Sequence, residues 1–334
     1  MELVKPNRLR QGDTIRIVAP ASNMASLAKS AVDRGVENLE KLGFNVEIHP
    51  DVYRSYKGTA GRPEERAESL MEAFLDESVD GIMCCWGGFN SNDIIDYLDY
   101  QAIRENPKVF VGYSDITILN TVLYREAGLV NFQGPAFITF THEFLMPWEV
   151  DVFKQVTMDG RDPLELRASP TFIDDPFYWK HPEEPVEERK NPGCGIVNRG
   201  EAEGRIIGGH LGTLLCLAGT RYWPDLKDHI LFIESDEEDI GAVNIIRQLR
   251  HLKHLGALDE VSGLVVGRIP EVLGLKKDQS IESIVGDAVD GLDIPVVTQF
   301  DFGHTNPIAT IPIGVRGRIS AEKKALTLLE AGVR

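Results

Sequence analysis

Val109-Phe110-Val111-Gly112-Tyr113-Ser114-Asp115-Ile116-Thr117 decides how this chain is read. An apolar run short enough for a buried strand ends at a glycine, and a helical pattern opens directly behind it. A serine on such a strand-to-helix turn stands at the carboxyl edge of a parallel sheet, where α/β enzymes expose a nucleophile. Backbone N–H groups at the start of the following helix point to the same place, where an oxyanion would sit. The second glycine of a Gly-x-Ser-x-Gly elbow is missing, because Ile116 stands there, so the turn does not make the chain an α/β-hydrolase.

Around this stretch the first half alternates strands and helices. Strands are expected at 14–20, 44–48, 81–86 and 109–111, and helices at 27–42, 63–75, from 93 onward and at 116–126. Gly43 suits the end of the first helix and Pro63 the start of the second. Such alternation implies a mostly parallel sheet covered on both faces, with ligands bound beyond the carboxyl ends of its strands. Gly87-Gly88 falls at that edge together with Ser114. The pattern breaks at 169–199, which is rich in Glu and carries prolines at 170, 176, 182, 185 and 192. A linker or mobile loop is expected there. Its Phe177-Tyr178-Trp179 would either pin the loop to the body or close over a site. Beyond 201, apolar runs at 204–207, 230–233, 263–266 and 295–298 and helices at 242–255 and 281–289 describe a second α/β unit. The expected division is 1–167 for an N-terminal domain with the nucleophile, 168–200 for the linker and 201–334 for the C-terminal domain.

With 334 residues the chain is long enough for two such domains. A net charge of −17 and the lack of a basic run argue against nucleic acid and anionic membranes as partners. The start of the chain has no apolar signal region, and no stretch approaches the ~18 apolar residues of a membrane span. The four cysteines form no Cys-x-x-Cys pair, and adjacent Cys84 and Cys85 would face opposite sides of a strand. A reducing cytoplasm without a disulfide framework is expected.

A serine hydroxyl needs a base to take its proton as it attacks, and a carboxylate to hold that base. Among the eight histidines, His49, His142, His181, His229 and His251 lack a supporting turn motif. His251 and His254 lie three apart on a helix but have no third metal ligand, so no metal is expected. His304 follows the strand at 295–298 within Phe300-Asp301-Phe302-Gly303-His304-Thr305-Asn306-Pro307, where a Gly-His turn would present its imidazole over the sheet edge. Glu234 ends the run Ile230-Leu231-Phe232-Ile233, ahead of acidic residues 236–238 that suit a helix start. The order Ser114, Glu234, His304 allows a serine–glutamate–histidine triad in a cleft between the two domains. The glycines of Trp86-Gly87-Gly88-Phe89-Asn90-Ser91-Asn92-Asp93 allow a tight turn or close backbone approach to a ligand. Asn92 or Ser91 could cap the helix behind it. The Gly88 N–H could act as an oxyanion donor beside that of Asp115; a phosphate site is the rival reading. A non-catalytic module that holds a small peptide or nucleotide in the cleft is the alternative for the whole chain.

These motifs, taken in order, resemble the LD-carboxypeptidase family of serine peptidases, which includes the microcin C self-immunity proteins. The resemblance runs from Gly12-Asp13-Thr14-Ile15 and Ala19-Pro20-Ala21-Ser22, through Gly87-Gly88, Gly112-Tyr113-Ser114-Asp115 and Gly204-Arg205-Ile206-Ile207-Gly208-Gly209, to Ile233-Glu234 and Gly303-His304-Thr305. It implies Ser114 as nucleophile, His304 as base, Glu234 as its orienter, and an oxyanion hole from the Gly88 and Asp115 backbone. It also implies a flavodoxin-like N-terminal domain, a smaller C-terminal domain carrying the Glu and His, a homodimer, and no metal or other cofactor. The family's carboxypeptidases remove a terminal D-residue from an L,D bond in a recycled cell-wall tetrapeptide. The stretch from Gly87 to Asn92 and the long loop bearing Trp179 look more like the immunity branch, which hydrolyses the amide joining an aminoacyl group to a nucleotide. In that branch Trp179 resembles an aromatic clamp on a nucleobase. Substrate contacts are thereby expected from Gly87, Asn90, Trp179, His210 and Glu238. His210 and Glu238 stand where that branch would have an asparagine and a lysine contacting an acidic acyl group, and Glu238 would repel one. A cytoplasmic serine hydrolase acting on a small peptide or aminoacyl-nucleotide is the resulting expectation.

Overall fold

Short apolar strands alternating with amphipathic helices give two sheets in the computed structural model, which describes residues 2–175, 180–236, 242–276 and 279–334. The first half supplies β1 (Thr14–Val18), β2 (Asn45–Ile48), β3 (Gly81–Cys84), β4 (Val109–Gly112) and β5 (Asn131–Gln133). All five run parallel, in the order β2-β1-β3-β4-β5. That is the flavodoxin-like order, which reverses direction between β1 and β3 and opens a crevice there. The two-residue period of β3, continued by Cys85, sorts the side chains cleanly. Met83 and Cys85 pack with Val32 and Leu39 of the helix Lys29–Lys41, whereas Ile82 and Cys84 pack with Leu70 and Phe74 of the helix Pro63–Leu75.

The later strands are β6 (Leu164–Leu166), β7 (Thr171–Ile173), β8 (Glu188–Lys190), β9 (Gly195–Asn198), β10 (Glu201–His210), β11 (His229–Glu234), β12 (Gly263–Gly267), β13 (Val296–Phe300), β14 (Ile311–Ile313), β15 (Arg316–Ser320) and β16 (Ala325–Leu328). Eight of them form the second sheet, in the order β6-β16-β15-β10-β11-β12-β13-β9. Its centre, β10 to β13, is parallel, so the ends of β11 and β13 emerge on one edge. The chain trades strands between the two sheets. β14 pairs antiparallel with β5, and β6 pairs with β16.

Residues 169–199, expected as a linker or mobile loop, carry β7, β8 and β9. Phe172 and Ile173 are buried, and β7 pairs with β8. The strands are too short for their alternation to stand out among the prolines that separate them. Ser91–Tyr97 forms a tighter 3₁₀ turn rather than an α-helix, and Ser91 is not its cap. Its N–H and hydroxyl are both committed to Asp115. No helix among the described residues is long and apolar enough to cross a membrane.

Candidate active site

Ser114 leaves β4 with φ +62°, in the left-handed region that a residue with a Cβ rarely occupies. The helix Thr117–Val122 starts three residues later. Such strain persists where the surroundings fix it, and here they do. The buried carboxylate of Asp115 accepts the N–H groups of Asn90 at 2.9 Å and Ser91 at 2.8 Å, while Ser91 Oγ donates to the Asp115 carbonyl at 2.6 Å. The loop after β3 is thereby tied to the turn that carries Ser114. Burial raises the Asp115 pKa above the usual carboxylate value, against those hydrogen bonds. The loop presses so close that a Cβ on Gly87 would lie 2.7 Å from Ser114 Cβ and 2.9 Å from Oγ, which explains the glycine.

Glu234 ends β11 with 1% exposure. Gly303 fits against it with φ +105°, and a Cβ there would stand 2.9 Å from Glu234 Oε2. This glycine lets the turn after β13 lay His304 over the carboxylate. His304 Nδ1 lies 2.7 Å from Glu234 Oε2, and Nε2 lies 3.1 Å from Ser114 Oγ. An ionised carboxylate only accepts, so Nδ1 carries the proton and Nε2 is free to accept from the serine hydroxyl. Burial disfavours the imidazolium, but the Glu234 carboxylate outweighs it and His304 titrates above the usual histidine value.

Two buried carboxyl groups hold the turn that carries His304. Asp301 accepts from the Ser169 N–H at 2.6 Å, from Asn191 and from Arg268 Nη2 at 2.9 Å. Glu149 accepts from the Ile308 N–H at 3.2 Å and the Asn306 amide at 3.4 Å. Tyr113 lies against the His304 ring, with centroids 5.3 Å apart.

His210 lies beside the three residues, its ring edge-on to that of His304 at 5.7 Å. Its backbone N–H donates to Thr117 Oγ1 at 2.9 Å, its Nδ1 accepts from the Thr213 N–H at 3.2 Å, and its Nε2 faces Asp236 at 3.6 Å. Asn90 stands on the glycine loop, held through its backbone. Trp179 and Glu238 lie outside the described residues. The described residues hold no cluster of three or more His, Cys, Asp or Glu fit for a metal. Sequence reasoning missed Thr117, Asp236, Glu149, Asp301 and Arg268. Asp301 left a trace as an acid set between two phenylalanines three residues before His304, and Asp236 as one of the acids read as a helix start.

Comparison with known proteins gives the family of the chain. The family models described as the LD-carboxypeptidase N-terminal and C-terminal domains match residues 15–134 and 203–319. "Putative carboxypeptidase YocD" of Bacillus subtilis (strain 168) is 36% identical over 94% of this chain and 95% of its own. The microcin C7 self-immunity protein MccF of Escherichia coli is 32% identical over 96% of this chain and 94% of its own. Among solved structures, an MccF-like protein from Bacillus anthracis str. Ames matches with a TM-score of 0.91 at 35% identity, covering 97% of this chain and 99% of that one. MccF in complex with aspartyl sulfamoyl adenosine matches with a TM-score of 0.90 at 30% identity, covering 99% of this chain and 100% of that one. With both domain models matched and relatives aligned over nearly its full length, this chain belongs to the LD-carboxypeptidase family and is a serine-type carboxypeptidase.

Proposed function

We propose that Ser114, His304 and Glu234 form the catalytic triad of this carboxypeptidase, and that it works through an acyl-enzyme on Ser114. The observation that carries the reading is the unbroken relay from Glu234 Oε2 through the imidazole to Ser114 Oγ, at 2.7 and 3.1 Å. In the first step Ser114 Oγ bonds to the carbonyl carbon while its proton passes to His304 Nε2. The carbonyl oxygen gains charge and takes hydrogen bonds from the N–H groups of Gly88 and Asp115. Neither N–H is committed to an acceptor among the described residues. His304 then gives the proton to the leaving nitrogen as the amide bond breaks. Water, deprotonated by the same imidazole, releases the acyl group as a free acid and restores the serine.

The substrate class proposed is a small peptide or an aminoacyl-nucleotide, as for the relative solved with aspartyl sulfamoyl adenosine. The acyl preference differs from an acidic one. Asp236 stands by His210 at the site, and the sequence continues with Glu237, Glu238 and Asp239, so neutral or basic acyl groups are favoured over aspartyl. The test is to assay an L,D-tetrapeptide and alanyl-, lysyl- and aspartyl-sulfamoyl adenosine side by side. Release of the nucleotide moiety from the alanyl and lysyl compounds supports this reading. Release of only the terminal D-residue would place the chain with the cell-wall enzymes. A chain that binds these compounds and turns none over would be a binding module.

A further inference from the structure

The turn from Asp301 to Ala309 is closed at its base by the Ala309 N–H donating to the Asp301 carbonyl at 2.9 Å, and His304 sits near its tip. Three anchors fix it. Asp301 is one, neutralised by Arg268. The second is the backbone pair between Asn306 and Ile173, at 2.8 and 3.0 Å. Glu149, on the helix Pro147–Lys154, is the third, and it differs from the first in kind. It is 4% exposed, and among the described residues its carboxylate forms no ion pair and is bonded only to the Ile308 N–H and the Asn306 amide. Ile308 packs in one apolar cluster with Tyr113, the residue before the nucleophile, whose ring touches His304. Glu149 therefore bears on both sides of the contact between Ser114 and His304.

We propose that Glu149 is a positioning residue for His304: its carboxylate holds the turn at Asn306 and Ile308 in the register that brings the imidazole to Ser114. This rests on the catalytic reading of Ser114 and His304 given above. An acid buried among apolar side chains with only neutral donors is an expensive support, and a glutamine or an apolar residue would serve a purely structural role at lower cost. Burial pushes its pKa up to about 7, so it changes charge near neutrality. The cavity beside it is lined by Thr139, His142, Phe144, Met146 and Ile173, among others, and His142 is the other titratable group there. Burial keeps His142 below its usual value, which disfavours a countercharge there. Ionised Glu149 makes two charge-assisted bonds to the turn, and protonation weakens both.

The test is the rate at which a fluorophosphonate labels the intact protein across a pH series, read by intact mass, with peptide mapping of the adduct. Labelling reports the contact between Ser114 and His304 without a known substrate. In the wild type the rate should fall on the acid side more steeply than one ionisation allows. Glu149→Gln, which keeps an acceptor but cannot titrate, should show a single ionisation. Glu149→Leu, which leaves the Ile308 N–H and the Asn306 amide without an acceptor, should label about 100-fold more slowly at alkaline pH, with Glu149→Gln recovering most of the loss. A folded Glu149→Leu that labels like the wild type overturns the proposal. If that variant does not fold, a Glu149→Gln profile with the wild-type acid limb overturns it. Failure of the wild type to label at Ser114 would instead remove the catalytic reading beneath it.

Discussion

Glu234 Oε2 and His304 Nδ1 meet at 2.7 Å although 70 residues of chain separate them. Two parallel strands of the second sheet end on the same edge, and Gly303 lets the turn after one reach the carboxylate ending the other. Glu234→Gln keeps the shape and the burial but removes the charge that stabilises the imidazolium and fixes its tautomer. The expected result is a fall in kcat of about 10³–10⁴-fold with little change in melting temperature. Steady-state kinetics beside a thermal melt check both halves of that statement.

The pH profile follows from the same contact. In the proposed mechanism His304 must be neutral to accept the serine proton, and its pKa lies above the usual 6.5 because Glu234 outweighs the effect of burial. Activity should therefore rise as pH climbs through a value above 6.5 in kcat/KM, the acid limb belonging to the free enzyme. Glu234→Gln should move that limb to lower pH. The linkage to stability has the opposite sense. The protonated ring stabilises the fold below its unfolded value, and that contribution is lost as pH rises through the folded one. A residual-activity profile of Glu234→Gln with its acid limb unmoved would contradict the assignment.

Gly87→Ala tests the closeness of the glycine loop to Ser114, the proposed nucleophile. The added Cβ would stand 2.7 Å from Ser114 Cβ, and the turn and the loop must move apart to admit it. A displacement near 1 Å at a reacting atom costs about 100-fold in rate. Turnover and fluorophosphonate labelling should fall together, and circular dichroism should show a folded chain.

Arg268→Met removes the cation from a buried pair in which Asp301 is 0% exposed. A buried charge left alone costs about 3–5 kcal/mol, read as a lower urea midpoint with an unchanged slope. Burial already raises the Asp301 pKa. The penalty should therefore be greatest at alkaline pH and shrink as pH falls and Asp301 takes up a proton.

The three residues proposed as the triad were legible because they sit at strand ends. Ser114, Glu234 and His304 each follow a short apolar run, and a turn at the carboxyl edge of a parallel sheet can be located from such runs without coordinates. The supports were not legible, because they come from far along the chain. Glu149 reaches Ile308 across 159 residues, and Asp301 takes the N–H of Ser169 across 132. Neither pairing has a local periodicity to announce it. The strands within 169–199, where a linker or mobile loop is expected, were hidden for a related reason. They are three or four residues long, too short to show alternation, and what orders them is Asp301, Asn191 and Arg268 rather than their own propensity. The exchange of β6 and β14 between the sheets was equally hidden, since pairing partners are chosen by topology rather than by composition.

The acyl-enzyme is the centre of this account, and intact mass spectrometry sees it directly. The wild type and Ser114→Ala are mixed with a fluorophosphonate and, separately, with a slowly hydrolysed aminoacyl ester. One adduct per chain, mapping to Ser114 and absent from Ser114→Ala, is the result predicted. An adduct on another residue, or a Ser114→Ala protein that turns substrate over at the wild-type rate, would contradict it.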